Sequence, residues 1–215
     1  MVKNQNEHLE NLAQIRSMME RSSRFISLSG LSGVAAGTWA LVGAAVVYLY
    51  LDMPPFASKR VYYEEAISTN RWGMDYLTFF IVTAAAVFLL ALCSGIYFTT
   101  RKARKKDQKI WDASSKRMLV NLAIPLVTGG LFCIALFNNG MYGLIVPSTL
   151  IFYGLGLVNG GKYTLDDIRY LGVTEIVLGL IALFNPGHGL EYWAFGFGIL
   201  HIVYGIIMYN KYERA

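Results

Sequence analysis

The sequence predicts an all-α integral membrane protein: six transmembrane helices forming three hairpins, with an amphipathic helix ahead of them. Three observations predict it. Hydrophobic residues make up 55% of the 215 positions while charged residues make up 15%, well under the share usual in soluble domains. The charges cluster, and between the clusters lie six apolar runs. Short polar connections rich in helix breakers separate those runs, leaving no room for a soluble domain.

The apolar runs cover about 25–51, 76–100, 119–137, 142–160, 165–184 and 190–209. Each is close to the ~20 residues that cross a ~30 Å hydrocarbon layer at 1.5 Å per residue. Pro54-Pro55, Asn138-Asn139-Gly140, Gly160-Gly161 and Asn185-Pro186-Gly187 stop them. Lysine and arginine resist translocation, and with both termini cytoplasmic sixteen of the nineteen fall on the cytoplasmic side. Lys59, Arg60 and Arg71 are the remainder, in a first outer loop that Asp52, Glu64, Glu65 and Asp75 balance. The charged leader followed by a long apolar run suits a retained anchor rather than a cleaved signal.

Residues 1–24 are expected to form a cytoplasmic helix with Leu9, Leu12, Ile15 and Met19 on one stripe, and 210–215 a cytoplasmic tail. Such a helix lies on the membrane surface or docks a cytoplasmic protein partner. The loop after the second span carries Arg101, Lys102, Arg104, Lys105, Lys106, Lys109, Lys116 and Arg117. Placed directly below two spans, they read as topology anchors and contacts to anionic lipid headgroups, not as a nucleic-acid surface. Trp111 fits an interfacial anchor.

The run Ile-Ala-Leu-Phe-Asn occurs at 134–138 and again at 181–185, both times at the outer end of a span and before a tight turn. The following spans share Tyr153-Gly154 with Tyr204-Gly205, then Lys162-Tyr163 with Lys211-Tyr212. Spans three-four and five-six therefore read as copies, and the first hairpin joins them through Ser32–Gly37 laid over Thr174–Gly179.

Within this unit, Gly179–Gly187 followed by Gly196, Gly198 and Gly205 resembles the hairpin of the HdeD-like acid-resistance membrane proteins. The resemblance is best over 171–210. It implies three hairpins in a bacterial inner membrane and a role in acid or envelope stress, with no catalytic motif to transfer.

One carboxylate stands inside a span. Thr164 and Asp167 have capping-box spacing, so the fifth span begins near Leu165 and Glu175 falls at its middle. Counted from the turn at Pro186-Gly187, His201 has nearly the same depth on the next span. An ionised group there costs ~2.5–3.5 kcal/mol, so both face the interior or water. Glu175, His201, Tyr204 and Thr174 are the candidate intramembrane polar site, either responsive to protonation or a structural bond between helices.

Small residues line other faces. Ser29, Gly33 and Gly37 in the first span, and Gly156 and Gly160 in the fourth, let helices approach closely, within the chain or in a homodimer. Pro125 and Pro147 free backbone carbonyls that neighbouring hydroxyls would satisfy. Cys93 and Cys133 differ in depth and should not pair. No P-loop, GxSxG, HExxH, CxxC or paired-carboxylate spacing occurs, so neither an enzyme nor a metal or cofactor site is expected. The functional expectation is a non-enzymatic membrane protein. A small transporter or channel with its site at Glu175 and His201, and a regulator recruiting a partner through 1–24, are the alternatives.

Overall fold

The computed structural model describes Leu12, Ile15, Phe25 and residues 27–52, 54, 70–107 and 110–214. Six long helices account for nearly all of it: α1 (Gly30–Leu51), α2 (Tyr76–Lys105), α3 (Ala113–Asn138), α4 (Ile145–Gly160), α5 (Asp166–Leu183) and α6 (Gly189–Tyr212). A two-residue antiparallel ladder, Asn70–Arg71 with Met74–Asp75, precedes α2. Single 3-10 turns, Tyr142–Leu144 and Gly161–Tyr163, extend α4 at both ends. Among the described residues five helices are long and apolar enough to cross a membrane, which is compatible with a multi-pass membrane protein. The helix left out is α5, whose 18 residues hold Asp166, Asp167, Arg169 and Glu175.

The helices pack unequally. α4 lies between α3 and α5, while α1 lies between α2 and α6, and the first turns of α6 touch α4. α1 and α4 bury 39% of their most apolar stretch, whereas α2 buries 6% and α3 11%, so these two are peripheral. Among the described residues they share no extended contact.

Glycine sets the two tightest crossings. A Cβ on Gly154 would lie 2.5 Å from the carbonyl oxygen of Gly172, and one on Gly37 equally close to that of Gly198. Backbone therefore meets backbone at α4–α5 and at α1–α6. Gly33 also faces α6, at Gly205, whereas Gly156 and Gly160 face Leu122 of α3. Gly33, Gly37, Gly156 and Gly160 thus face neighbours in the same chain.

Several local expectations change. The first helix begins at Gly30, not Phe25: Phe25 and residues 27–29 form a non-helical strap whose last residue, Ser29, is extended. The Phe25 amide donates to the Tyr163 carbonyl at 2.7 Å, and Thr164 Oγ1 donates to the Phe25 carbonyl at 2.6 Å. With its hydroxyl so engaged, Thr164 does not cap α5, whose N-cap is Leu165 without a side-chain bond. α1 is capped from a distance: Glu213, just past α6, accepts from the Gly30 amide at 2.5 Å and from Ser29 Oγ at 3.0 Å. Lys102 Nζ lies 3.5 Å from the same carboxylate and donates to the Leu28 carbonyl. α3 gains a capping box from Asp112 and Ser115 that the sequence reading did not single out.

Pro125 leaves the Asn121 carbonyl without its helical donor, and Asn159 Nδ2 of α4 supplies one at 2.9 Å. Pro147 stands in the first turn of α4, where no internal bond is lost. Both cysteines are free. The helix expected over 1–24 lies outside the described residues except for Leu12 and Ile15, which are helical and exposed.

Candidate functional site

α5 and α6 are antiparallel neighbours joined by the turn at Asn185–His188, and their midpoints carry Glu175 and His201. Glu175 is completely buried and His201 is 6% exposed. The carboxylate Oε1 lies 3.5 Å from His201 Nδ1, too far for a good hydrogen bond. Neither Glu175 oxygen has a hydrogen-bond partner among the described residues. A buried carboxyl left so is costly in a soluble core and costlier in lipid, which marks the position as something packing alone does not require.

The imidazole is held from both sides. Nδ1 is 3.0 Å from the Gly196 carbonyl and Nε2 is 2.7 Å from the Tyr153 hydroxyl. With neutral histidine, Nδ1–H donates to Gly196 and Tyr153 O–H donates to Nε2. When the ring gains a proton, Nε2–H becomes the donor to the tyrosine oxygen and the Glu175 carboxylate balances the charge. One arrangement of heavy atoms thus serves both protonation states.

Local backbone makes this possible. Between Ala194 and Leu200 α6 is π-helical, a widened turn that recurs at functional sites. Gly196 and Gly198 lie within it, and the absence of a side chain at Gly196 leaves room for the Glu175 carboxylate. Phe197 packs on both Tyr153 and His201, with ring centroids 5.0 and 5.9 Å away, and fixes the imidazole plane.

A cavity of about 230 Å³ lies against this cluster. Its lining includes Tyr153, His201 and Tyr204, Leu28 and Ser29 of the strap, Ala91 and Gly95 of α2, and Met118 and Leu122 of α3. Most of the lining is apolar.

Of the four residues expected to form the polar site, the structure brings two together. Thr174 turns back on its own helix, its hydroxyl donating to the Leu171 carbonyl at 2.7 Å. Tyr204 lines the cavity, and the histidine takes Tyr153 instead. Tyr153 was missed because it stands on α4, remote in sequence. The repeat that aligns Tyr153-Gly154 with Tyr204-Gly205 was the available signal.

A second polar group stands where α5 begins and α6 ends. Asp167 accepts from Tyr212 Oη at 2.6 Å and from Lys211 Nζ at 3.1 Å, while Lys106 Nζ donates to the Tyr212 carbonyl. The basic residues Arg101, Arg104, Lys105, Lys116 and Arg117 are exposed at this same end, and Lys102 is buried in the Glu213 contact.

Comparison with protein-family models, with curated proteins and with solved structures gives no match.

Proposed function

We propose that the chain is a six-span, non-catalytic membrane protein of a bacterial inner membrane, with both termini cytoplasmic, whose activity is set by protonation of the Glu175–His201–Tyr153 cluster. The disposition of α5's charges supports counting it as the sixth span. Asp166, Asp167 and Arg169 stand at the basic end, Asp167 is paired with Lys211, and Glu175 points inward. The concentration of exposed lysine and arginine at that end supports its cytoplasmic placement. Three hairpins of the HdeD-like kind fit the two glycine crossings, and a role in acid or envelope stress fits a group that changes charge with pH.

The observation that carries the proposal is the Glu175 carboxylate, fully buried, without a hydrogen bond, and 3.5 Å from an imidazole bonded on both nitrogens. A carboxyl in such a place is neutral, or ionised beside an imidazolium; each form needs the proton to be somewhere in the cluster. Infrared difference spectra of the protein in lipid between neutral and acidic pH test this. The expected result is a carboxyl band that vanishes in Glu175→Gln and moves in His201→Ala. Spectra identical in all three proteins would exclude protonation at this site.

The cavity that reaches His201 favours a second reading, a small proton-coupled transporter. Flux in proteoliposomes that follows a pH gradient and is lost in Glu175→Gln supports it, and flux indifferent to that change removes it.

A further inference from the structure

We propose that the seam between α2 and α3 binds one anionic phospholipid of the cytoplasmic leaflet, an acyl chain in the cavity ending at His201 and the headgroup on the basic residues flanking the α2–α3 connection. The inference rests on the membrane placement proposed above and not on the protonation of Glu175.

The cavity's geometry determines how it is reached. Leu28 and Ser29 of the strap line it, and hydrogen bonds tie the strap to Tyr163, Thr164 and Lys102. Tyr153 and His201, hydrogen bonded to each other, line it as well. Between them lies the seam: Ala91 and Gly95 of α2 and Met118 and Leu122 of α3 also line the cavity, and these two helices share no extended contact among the described residues. A Cβ on Gly95 would meet nothing within 4 Å, so the two helices stand apart there. An opening through this seam leads into the bilayer, and what enters is apolar.

Depth and charge select the occupant. His201 is eleven residues before the end of α6 at Tyr212, about 16 Å at 1.5 Å per residue. That is about half of a ~30 Å hydrocarbon layer, the reach of a chain from one leaflet. At the mouth, Arg101, Arg104 and Lys105 close α2 and Lys116 and Arg117 open α3, all exposed. Asp107 and Asp112 offset only part of this charge, two acidic residues against eight basic ones over 101–117. A second copy of this chain seated on the seam would bring the same cations against these, whereas a phosphate headgroup neutralises them. Exposed Trp111 between the two helices fits the headgroup level.

Native mass spectrometry of the full chain, released from mild detergent after exchange with phosphatidylglycerol or phosphatidylcholine, tests this. The expected result is one retained phosphatidylglycerol per chain and retention of phosphatidylcholine weaker by about tenfold. Gly95→Trp fills the mouth and should lose the retained lipid. Gly130→Trp, at another position of the peripheral helices where a Cβ meets nothing within 4 Å, should keep it. Lys116→Glu with Arg117→Glu should abolish the preference between the two lipids. Independently of folding in those variants, a photoreactive side chain at position 95 should cross-link phospholipid. Retention by Gly95→Trp, equal retention of both lipids by the unaltered chain, or a cross-link to a second copy overturns the proposal. The carboxyl band of Glu175 is read separately, so failure of one inference leaves the other visible.

Discussion

A Cβ on Gly196 would lie 2.5 Å from Glu175 Oε2, so the carboxylate occupies the space that any side chain at that position needs. Leu150 and Leu178 close the rest of the same space. Gly196→Ala is therefore expected to destabilise the bundle by about 1–3 kcal/mol, the usual cost of forcing a methyl into a filled interior. Much of that cost should disappear beside Glu175→Ala. A double-mutant cycle on unfolding measures the coupling, and additive effects would show that the two groups do not compete for space.

If Glu175 is kept for its proton and not for stability, an apolar side chain of similar length should be tolerated. Glu175→Met is expected to leave unfolding stability unchanged or to raise it by about 1–4 kcal/mol, since neither oxygen has a hydrogen bond to lose. The pH-dependent infrared signal should vanish in the same protein. A large loss of stability would make the carboxyl a structural element.

Asn159 answers Pro125 across the α3–α4 contact by donating to the Asn121 carbonyl. Asn159→Leu should cost about 1–2 kcal/mol through the carbonyl left bare. Pro125→Ala restores an in-helix donor to that carbonyl, so it should recover stability in the Asn159→Leu background more than in the unaltered chain. Equal effects in both backgrounds would disconnect the two residues.

Asp75 caps α2 by accepting from the Thr78 amide at 3.1 Å, and its bonds to Thr78 hold its carboxyl below the ordinary aspartate value. A lowered value in the fold means that the stabilisation is fully present above the unfolded-chain value and is lost as pH falls through the folded one. The first turn of α2 should therefore fray only in strong acid. Hydrogen exchange at the Thr78 amide should accelerate there, and Asp75→Ala should remove the pH dependence.

Much of the architecture was legible because the bilayer imposes a simple rule. Apolar runs such as 119–137 and 142–160 have the right length whatever they pack against, and structure follows at α3 and α4. The common depth of Glu175 and His201 was legible for the same reason, since rise per residue converts position into height. What depth does not give is azimuth. Thr174 and Tyr204 have suitable heights but point elsewhere, and Tyr153 joins the cluster from a helix whose packing partner no local pattern names. α5 shows the limit from the other direction, as its four charged residues keep it out of the helices apolar enough to span although it carries the central carboxylate. The strap of Phe25 and residues 27–29 was read as helix because its apolar residues continue the run, and the bonds that hold it come from residues 74 or more positions downstream.

The bond from Gly30 to Glu213 joins positions 183 residues apart, and it has a bearing on biogenesis. During synthesis the first hydrophobic segment reaches the translocon long before its capping carboxylate exists. Until the final stretch leaves the ribosome, the amides at the head of α1 must rely on water or headgroups, and the strap has no anchor at Glu213. The newborn chain therefore passes through a stage in which its helices exist but the rim around Ser29, Gly30 and Glu213 is still untied.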